Sequence, residues 1–181
     1  MSNITQLITD NSLHASILRA AGELGSKGGI PTYVVGGFVR DKLMNRPTND
    51  IDIMVEGDGV EFAKKLAKEL KINTVVDYEK FGTALIPHSE LNIEIASARK
   101  EMYTSLSRKP KVESCSVAED MSRRDFTVNA IAVSILPNSF GEIIDPFGGI
   151  NDLKNKLLIT PLEPEATFSD DPLRMMRAIR F

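Results

Sequence analysis

The sequence has few of the residue types that build disulfides and zinc sites. Its single cysteine, Cys115, has no partner for an intrachain disulfide, and with only two histidines the count excludes a Cys/His zinc site. A lone cysteine in a polar stretch is typical of a reducing compartment, so we expect a cytoplasmic protein. Neither His14 nor His88 lies in a motif with serine or cysteine, and no nucleophile of the hydrolase type is visible.

Long apolar stretches are also missing. No run approaches the roughly 20 apolar residues that a membrane-spanning helix needs, and the first residues show no basic start followed by an apolar run. We therefore expect neither a membrane partner nor a secretory signal. With 42% hydrophobic and 26% charged residues, the 181-residue chain has the composition of one globular domain with a proper core. The oligomeric state is not predicted.

The net charge of −3 argues against a uniformly basic surface that coats nucleic acid. The basic residues are nevertheless clustered along the chain, at 99–100, 108–111, 123–124 and 174–180. A polyanionic ligand can therefore be bound in one cleft while the rest of the surface stays acidic.

The hydrophobic patterns predict a mixed α/β or α+β domain with one sheet. Apolar residues recur at helical spacing from Leu13 to Leu24 and from Val60 to Leu70. Strands are predicted at Val34-Val35, Ile51 to Val55, Asn73 to Asp77, Gly82 to Pro87 and Leu91 to Ala96, with further short ones between Phe126 and Leu136 and at Glu142 to Ile144. This order of elements predicts a sheet of about five strands.

Two other segments are less regular. From Arg99 to Met121 the periodicity disappears, which predicts a long loop or a mobile segment. Near the end, Thr167 or Ser169 can cap a final helix with Pro172 in its first turn. The apolar face of that helix runs to Phe181 without a cap, so we expect it to pack on something outside this sequence.

The segment from Val34 to Val55 carries the densest chemistry. Gly36 and Gly37 are predicted to form a turn before a short helix, so that backbone N–H groups and a helix N-terminus can face a phosphate. Arg40, about one turn into that helix, can add a charge-assisted contact to a phosphate oxygen.

Two aspartates follow on the next predicted strand. Asp50 and Asp52 occupy alternate positions and therefore share one face. Two ionised carboxylates this close repel each other, and a shared cation relieves the repulsion; hard oxygen ligands of this kind suit magnesium. Glu94, in another alternating strand, can bring a third carboxylate. The alternatives are a solvated strand face for the pair and an exposed edge-strand charge for Glu94.

Two further clusters combine cations with hydrogen-bonding groups. The run Arg123 to Asp125, with Asn129 after it, can bind a sugar and a phosphate together, or it can be a helix-capping ion pair. Asp171 and Arg174 can present a planar pattern of acceptors and donors to the edge of a base. The alternative is a set of helical ion pairs with neighbours such as Asp170. The chemistry that remains is metal-assisted phosphoryl or nucleotidyl transfer.

Five motifs follow one another along the chain: GGFVRD, NDIDIMV, RRDFTVNAIA, IDPFGGINDL and DDPLRMMRAIRF. Together they resemble, in order and spacing, the N-terminal catalytic part of the class II tRNA nucleotidyltransferases. These are the CCA-adding enzymes, which are closely similar to bacterial poly(A) polymerases within the DNA polymerase beta-like nucleotidyltransferase superfamily. The resemblance covers roughly Tyr33 to Phe181. It implies an α+β nucleotidyltransferase head over residues 1–160 and the first helix of a helical neck over residues 161–181.

The resemblance also implies roles for individual residues. Asp50, Asp52 and Glu94 match the catalytic carboxylates, with Asp50 and Asp52 as the ligands of two magnesium ions. The nucleotide-binding positions that it implies are Gly36, Gly37, Arg40, Arg124, Asp171, Arg174, Arg177 and Arg180. Within this set, Asp171 and Arg174 match the pair that reads the incoming base in place of a template. The family usually shows Glu-Asp where this chain has Asp170-Asp171, which leaves the orientation of Arg174 open.

The function implied is template-independent addition of CCA, from CTP and ATP, to the 3′ end of tRNA with release of pyrophosphate. A poly(A) polymerase acting on RNA 3′ ends is the alternative within the same class, because its head motifs are nearly identical. The motifs do not distinguish addition of the whole CCA from addition of CC or of the terminal A alone. A non-catalytic nucleotide-binding regulatory domain is an alternative of another class. Binding of the tRNA is expected to need domains outside this sequence.

Overall fold

The computed structural model describes residues 4–9, 12–78, 82–102 and 111–181, with the side chains of Leu7, 100–102 and 111–113 left aside. Over these ranges the chain forms a seven-stranded mixed sheet with packed helices, together with a separate two-stranded ribbon. The α+β class is therefore confirmed. The sheet has seven strands rather than about five, because the two short strands predicted near residues 132 and 143 also join it, beyond the first strand.

The elements follow each other in a regular order. The strands are β1 (Thr32–Val35), β2 (Asp50–Val55), β3 (Val76–Tyr78), β4 (Thr83–Pro87), β5 (Asn92–Ser97), β6 (Arg99–Met102), β7 (Lys111–Ser114), β8 (Ala132–Ser134) and β9 (Ile143–Ile144). The helices are α1 (Ile4–Ile8), α2 (Ser12–Gly28), α3 (Gly36–Leu43), α4 (Gly59–Glu69), α5 (Val117–Ser122), α6 (Gly149–Asn155), α7 (Pro164–Asp170) and α8 (Leu173–Arg180), with a 3-10 turn at Thr127–Asn129. None of the helices in the described ranges has the length and hydrophobicity needed to cross a bilayer.

Strand β2 lies at the centre of the main sheet, whose order is β3-β4-β5-β2-β1-β8-β9. It pairs antiparallel with β1 and parallel with β5. The parallel register sets Asp52 beside Glu94 and Asp50 beside Asn92. Ile51 and Ile53 alternate with the aspartates and are fully buried. The polar face of β2 and β5 is therefore turned away from the core.

The main core lies between the sheet and helices α2, α3 and α4. Its largest fully buried side chains include Leu18 from α2, Phe38 from α3 and Phe62 from α4. Burial of each such side chain stabilises the fold by about 1.5–3 kcal/mol. This packing fixes α3 against β2, and with it the glycines at the start of α3.

The prediction of a long loop or mobile segment from Arg99 to Met121 is wrong for the part that the structure describes. Strands β6 and β7 form a ribbon there, and α5 follows; residues 103–110 lie outside the described residues. Helix α5 begins with a capping box, in which Ser116 Oγ accepts from the Glu119 N–H and the Glu119 carboxylate accepts from the Ser116 N–H.

The final helix predicted near the end of the chain is present as α8, with Pro172 at its start, but the predicted caps are wrong, because Thr167 and Ser169 lie inside a separate helix, α7. Helices α7 and α8 are separated at Asp171, whose backbone is extended with φ −143° and ψ 98°. Pro172 explains the break, because a proline disfavours the helical conformation of the residue before it. The Asp171 carboxylate then accepts a hydrogen bond from the Leu173 N–H at 3.0 Å, which starts α8.

Candidate active site

A cleft of about 900 Å³ opens over the polar face of β2 and β5. The structure brings all of the residues predicted for the site to the lining of this one cleft: Gly36, Gly37, Arg40, Asp50, Asp52, Glu94, Arg124, Asp171, Arg174, Arg177 and Arg180. Side chains from α3, β2, β5 and α8 meet there, although they are far apart in the sequence. A cleft with carboxylates on its floor and guanidinium groups around it can hold a cation together with a polyanion.

Neighbouring negative charges on the floor of the cleft make ionisation of Asp52 and Glu94 less favourable. Burial raises the pKa of Asp52, and the charge of Asp50 raises it further, against the lowering effects of the Phe38 N–H and two arginines. Burial also raises the pKa of Glu94, and repulsion from Asp52 and Asp50 adds to the rise. A bound cation would relieve this repulsion.

The glycines of α3 allow its backbone to lie close to the Arg124 guanidinium and to the Asp52 carboxylate. Gly36 has φ +63°, a conformation that side chains disfavour, and a Cβ placed on it would lie 2.7 Å from Arg124 Nη1. A Cβ on Gly37 would lie 3.5 Å from Asp52 Oδ2. The next N–H along the chain, that of Phe38, donates to the same carboxylate oxygen at 3.3 Å. Helix α3 is thus joined directly to the carboxylate pair.

The carboxylates fit a magnesium ion that is shared with a substrate. Within the described ranges, no group of three or more acidic, histidine or cysteine side chains is close enough to enclose a metal. Magnesium, however, is usually held by one or two carboxylates, while waters and substrate phosphates complete its coordination. Asp50 and Asp52 meet that requirement. Asn92 Nδ2 also donates to Asp50 Oδ1 at 3.1 Å, which orients the outer aspartate.

Arg124 lies beneath Gly36 and is held by a carboxylate that the sequence patterns did not single out. Asp120 is completely buried; it pairs with Arg124 Nε at 3.4 Å and with the guanidinium of Arg123, and it accepts from the Arg99 N–H at 3.2 Å. Burial lowers the pKa of Arg124, and the charge of Asp120 opposes that change. Asp120 was missed because its segment was predicted as a loop. The Ser-x-x-Glu capping signal would have placed it on a helix, one turn before both arginines.

Arg174 is oriented mainly by backbone carbonyls. Its Nη1 donates to the Thr167 carbonyl at 3.2 Å and its Nη2 to the Arg123 carbonyl at 2.8 Å. The carboxylate of Asp170 lies 3.8 Å from Nη2, an ion pair at the helical spacing that the sequence offered as the alternative. The shorter side chain at position 170 therefore leaves Arg174 well oriented.

The other arginines of α8 have different partners. Arg177 Nε donates to Asp125 Oδ2 at 2.6 Å rather than to an acidic residue of its own helix. The guanidinium of Arg180 lies 5.3 Å from the centre of the Phe181 ring, and that of Arg40 lies 4.8 Å from it on the other side of the cleft. Cations of α3 and α8 therefore meet over one aromatic ring.

The IDPFGGINDL motif packs against the run from Arg123 to Asn129 and supports it. The Asp145 carboxylate accepts from the Gly149 N–H at 2.7 Å, and Asp152 accepts from Thr127 Oγ1 at 2.6 Å. A Cβ on Gly149 would overlap the Thr127 carbonyl. Helix α6 therefore packs directly against the 3-10 turn that carries Asn129.

We expect Gly149→Ala to lower the free energy of unfolding by about 3 kcal/mol, because α6 must move away from the turn. Gly148→Ala is the matched control: a Cβ at that position has open space around it, and only the positive φ of 73° is strained. The control should cost about 1 kcal/mol. Urea denaturation of both variants checks the prediction, and equal losses would contradict it.

The ionisation of Asp125 makes the free energy of unfolding depend on pH. Burial by itself raises the pKa of Asp125, but hydrogen bonds from Asn129 and Arg177 outweigh it, so that the pKa lies below its ordinary value. Such a carboxyl stabilises the fold fully above its unfolded pKa, about 3.9, and loses that contribution as the pH falls through its folded pKa. We expect Asp125→Asn to cost free energy of unfolding at neutral pH and progressively less below about pH 4. Denaturation across this range is the measurement, and a cost that stays constant would contradict the prediction.

Comparison with known proteins agrees with this fold. The family model described as the poly(A) polymerase head domain matches residues 32–159. The A-adding tRNA nucleotidyltransferase of Aquifex aeolicus (strain VF5) is 46% identical over 149 residues, which are 82% of this chain and 18% of that protein.

Solved structures give the same result. A CCA-adding enzyme in an apo form is similar with a TM-score of 0.86 and 39% identity, over 99% of this chain and 42% of that one. A tRNA nucleotidyltransferase complexed with a primer tRNA and an incoming ATP analog is similar with a TM-score of 0.77 and 39% identity, over 89% of this chain and 44% of that one.

The chain thus spans less than half the length of each of these proteins. The match lies over the segment that holds the glycines of α3, both aspartates of β2 and the arginine pair beside α5. It confirms the resemblance and the nucleotidyltransferase fold that the motifs implied. The chain belongs to the poly(A) polymerase head domain family.

Proposed function

We propose that the protein is a template-independent RNA nucleotidyltransferase that adds CCA, from CTP and ATP, to the 3′ end of tRNA, and that this chain is its catalytic head. The observation that carries the proposal is the meeting of Asp50 and Asp52 with the guanidinium groups of Arg40 and Arg124 around one cleft. The names of the relatives support the substrate class, since they are A-adding and CCA-adding enzymes, one of them complexed with a primer tRNA.

Asp50 and Asp52 would hold two magnesium ions, which supply charge stabilisation to a triphosphate and a lower pKa to a hydroxyl nucleophile. Glu94, beside Asp52 in the parallel register, adds negative charge to the same site. At the start of α3 the N–H groups of Gly36 and Phe38 already donate to the Ile131 carbonyl and to Asp52. The Gly37 N–H and the guanidinium groups of Arg40 and Arg124 would therefore bind the phosphates and neutralise charge that develops there. These groups are already positioned by the protein, so little reorganisation is needed.

Asp171 and Arg174 would read the base. A guanidinium carries five N–H donors, and two of those of Arg174 are used by carbonyls, so that donors remain for a ligand. One carboxylate oxygen of Asp171 accepts from Leu173, and the other can accept from an exocyclic amino group. Cytosine and adenine both carry such an amino group, N4 in one and N6 in the other, which matches a choice of CTP and ATP.

We expect Arg174→Ala to reduce discrimination between CTP or ATP and the other triphosphates by about 10- to 100-fold, because one good pair of base contacts provides about 1–3 kcal/mol of discrimination. The ratio of kcat/KM values in the full-length protein measures it. Arg19→Ala, an exposed arginine on α2 away from the cleft, is the control. Loss of activity with all four triphosphates in equal proportion would contradict the assigned role.

A-only addition is the second candidate, and the name of the Aquifex aeolicus relative favours it. Full-length protein is incubated with tRNA that lacks its 3′ CCA and, separately, with tRNA that ends in CC. Addition of C to the first substrate supports the proposal. Addition of A to the second substrate only supports the second candidate, and long A tails on unrelated RNA would indicate a poly(A) polymerase.

A further inference from the structure

Two arginines on opposite sides of the cleft are joined by a continuous chain of hydrogen bonds. Arg40 Nη1, in α3, donates to Asn129 Oδ1 at 2.6 Å. Asn129 Nδ2 donates to Asp125 Oδ1 at 3.0 Å, and the other oxygen of Asp125 accepts from Arg177 Nε, in α8, at 2.6 Å. We call these four side chains the arginine bridge.

The two inner members of the arginine bridge are buried. Asn129 is 5% exposed and Asp125 is 7% exposed. Buried polar groups are costly when their partners are removed, so these bonds hold the four side chains in one arrangement. The pKa of Asp125 lies below its ordinary value for this reason, and its carboxyl is ionised at neutral pH.

Asparagine is chemically suited to its place between Arg40 and Asp125. A guanidinium only donates hydrogen bonds and a carboxylate only accepts them, whereas an amide presents one acceptor and one donor group. Only one orientation of the Asn129 amide satisfies both neighbours. An aspartate at this position would set two carboxylates against each other, and an apolar residue would leave the carboxylate and the guanidinium without this partner.

We propose that Asn129 is a positioning residue that makes the binding of a triphosphate by Arg40 depend on Arg177. This inference rests on the proposed function, in which Arg40 binds phosphates and α8 contacts the base. When Arg177 is held, Asp125 is fixed, and Asn129 keeps the guanidinium of Arg40 in place. When Arg177 is removed, Asp125 Oδ2 loses its partner and only Oδ1 stays bonded, to the Phe126 N–H at 2.9 Å and to Asn129. The aspartate is then held at one oxygen only, so Asn129 holds Arg40 Nη1 less firmly, although the ion pair of Arg40 with Asp41 at 2.8 Å remains. Contact of a nucleotide base with α8 thereby strengthens the grip on its phosphates.

The test is a double-mutant cycle on the full-length protein with inorganic tripolyphosphate, a probe that has no base. Calorimetric titration with magnesium present gives the Kd for the wild type, Arg177→Gln, Asn129→Ala and the double variant. Each single substitution should weaken binding about tenfold, because a buried hydrogen bond to a charged group is lost. The double variant should be within about twofold of Asn129→Ala alone, because the bridge is already broken. If the two effects multiply instead, so that the double variant binds tripolyphosphate about a hundredfold more weakly than the wild type, the proposal is overturned.

Arg180→Gln is the matched control, because it removes the same charge from the same helix. Arg180 shares with Arg177 the position over the Phe181 ring, where Arg40 also lies, but it does not bond Asp125 in the described contacts. The effects of Arg180→Gln and Asn129→Ala on the Kd should multiply. If Arg180→Gln is coupled to Asn129→Ala as strongly as Arg177→Gln is, the arginine bridge is overturned in favour of a general charge effect. Thermal unfolding checks the variants, and Asn129→Ser replaces Asn129→Ala in the cycle if the latter does not fold.

Nucleotide addition by the same wild-type protein separates two kinds of failure. Independent effects, or no binding of tripolyphosphate, in a protein that adds nucleotides to tRNA overturn the bridge and leave the proposed function standing. A wild-type protein that adds no nucleotide and binds no tripolyphosphate overturns the proposed function, and the bridge with it.

Discussion

Asp52→Asn in the full-length protein is expected to lower the rate of nucleotide addition by about 10³-fold, which corresponds to about 4 kcal/mol of transition-state stabilisation. The substitution removes one of the two carboxylates that hold magnesium but keeps the size of the side chain. The amide oxygen can still accept from the Phe38 N–H, so the contact between β2 and α3 is retained.

The same substitution should leave the stability unchanged or slightly increased. Burial and the charge of Asp50 both raise the pKa of Asp52, which means that its ionised form is disfavoured in the fold. A neutral amide removes that repulsion. Activity and stability are thus expected to change in opposite directions, which a general disruption of the fold does not produce.

Single-turnover incorporation and urea denaturation measure the two quantities. Asp77→Asn is the control, because this carboxylate lies on the surface of β3 in an ion pair with Lys64 at 3.1 Å, and its loss should change neither quantity appreciably. The assignment of Asp52 fails if Asp52→Asn retains activity within about tenfold of the wild type.

Asp120→Ala is expected to have the largest effect on stability, a loss of about 3–5 kcal/mol in the free energy of unfolding. Asp120 is completely buried, and its carboxylate compensates the charges of Arg123 and Arg124 and accepts from the Arg99 N–H. Without Asp120, the guanidinium groups of Arg123 and Arg124 lose their buried counter-charge. Since Arg124 lies beside Gly36, we also expect weaker binding of triphosphate.

Two further variants test whether the lost stability comes from the buried carboxylate. Glu119→Ala, on the neighbouring residue of α5, removes an exposed capping partner and should cost only about 1 kcal/mol. Removing both members of a buried pair is often nearly neutral, so Asp120→Leu combined with Arg124→Met should recover much of the lost stability. A single Asp120 variant as mild as Glu119→Ala would show that the buried carboxylate is not needed to hold the arginines.

Local patterns predicted those features of the fold and site that depend on near neighbours in sequence. Alternation along a strand placed Asp50 and Asp52 on one face, and helical spacing predicted α2 and α4. The meeting of Glu94 with Asp52 depends on the parallel pairing of β2 with β5, which alternation does not determine. Alternation offered Glu94 as a third carboxylate, with an exposed edge-strand charge as the alternative, and the motif resemblance implied its place in the site.

The features that were missed depend on distant partners or on weak local signals. The arginine bridge joins residues 52 and 89 positions apart, so no local pattern of Arg177 or Arg40 indicates it. Helix α5 is only six residues long and shows no apolar period, although its capping box was present in the sequence. The break at Asp171 was predictable from Pro172 in principle, but the ion-pair spacing of the neighbouring residues favoured one continuous helix.

We propose that the cleft transfers nucleotides with the help of magnesium held by the aspartate pair. The most direct measurement is incorporation of labelled CTP and ATP into tRNA lacking its 3′ CCA, by the full-length wild type and by Asp50→Asn, with and without magnesium. We predict incorporation only by the wild type and only with magnesium. Nucleotide binding of equal affinity in all four conditions, with no incorporation in any of them, would contradict the claim and indicate a regulatory domain.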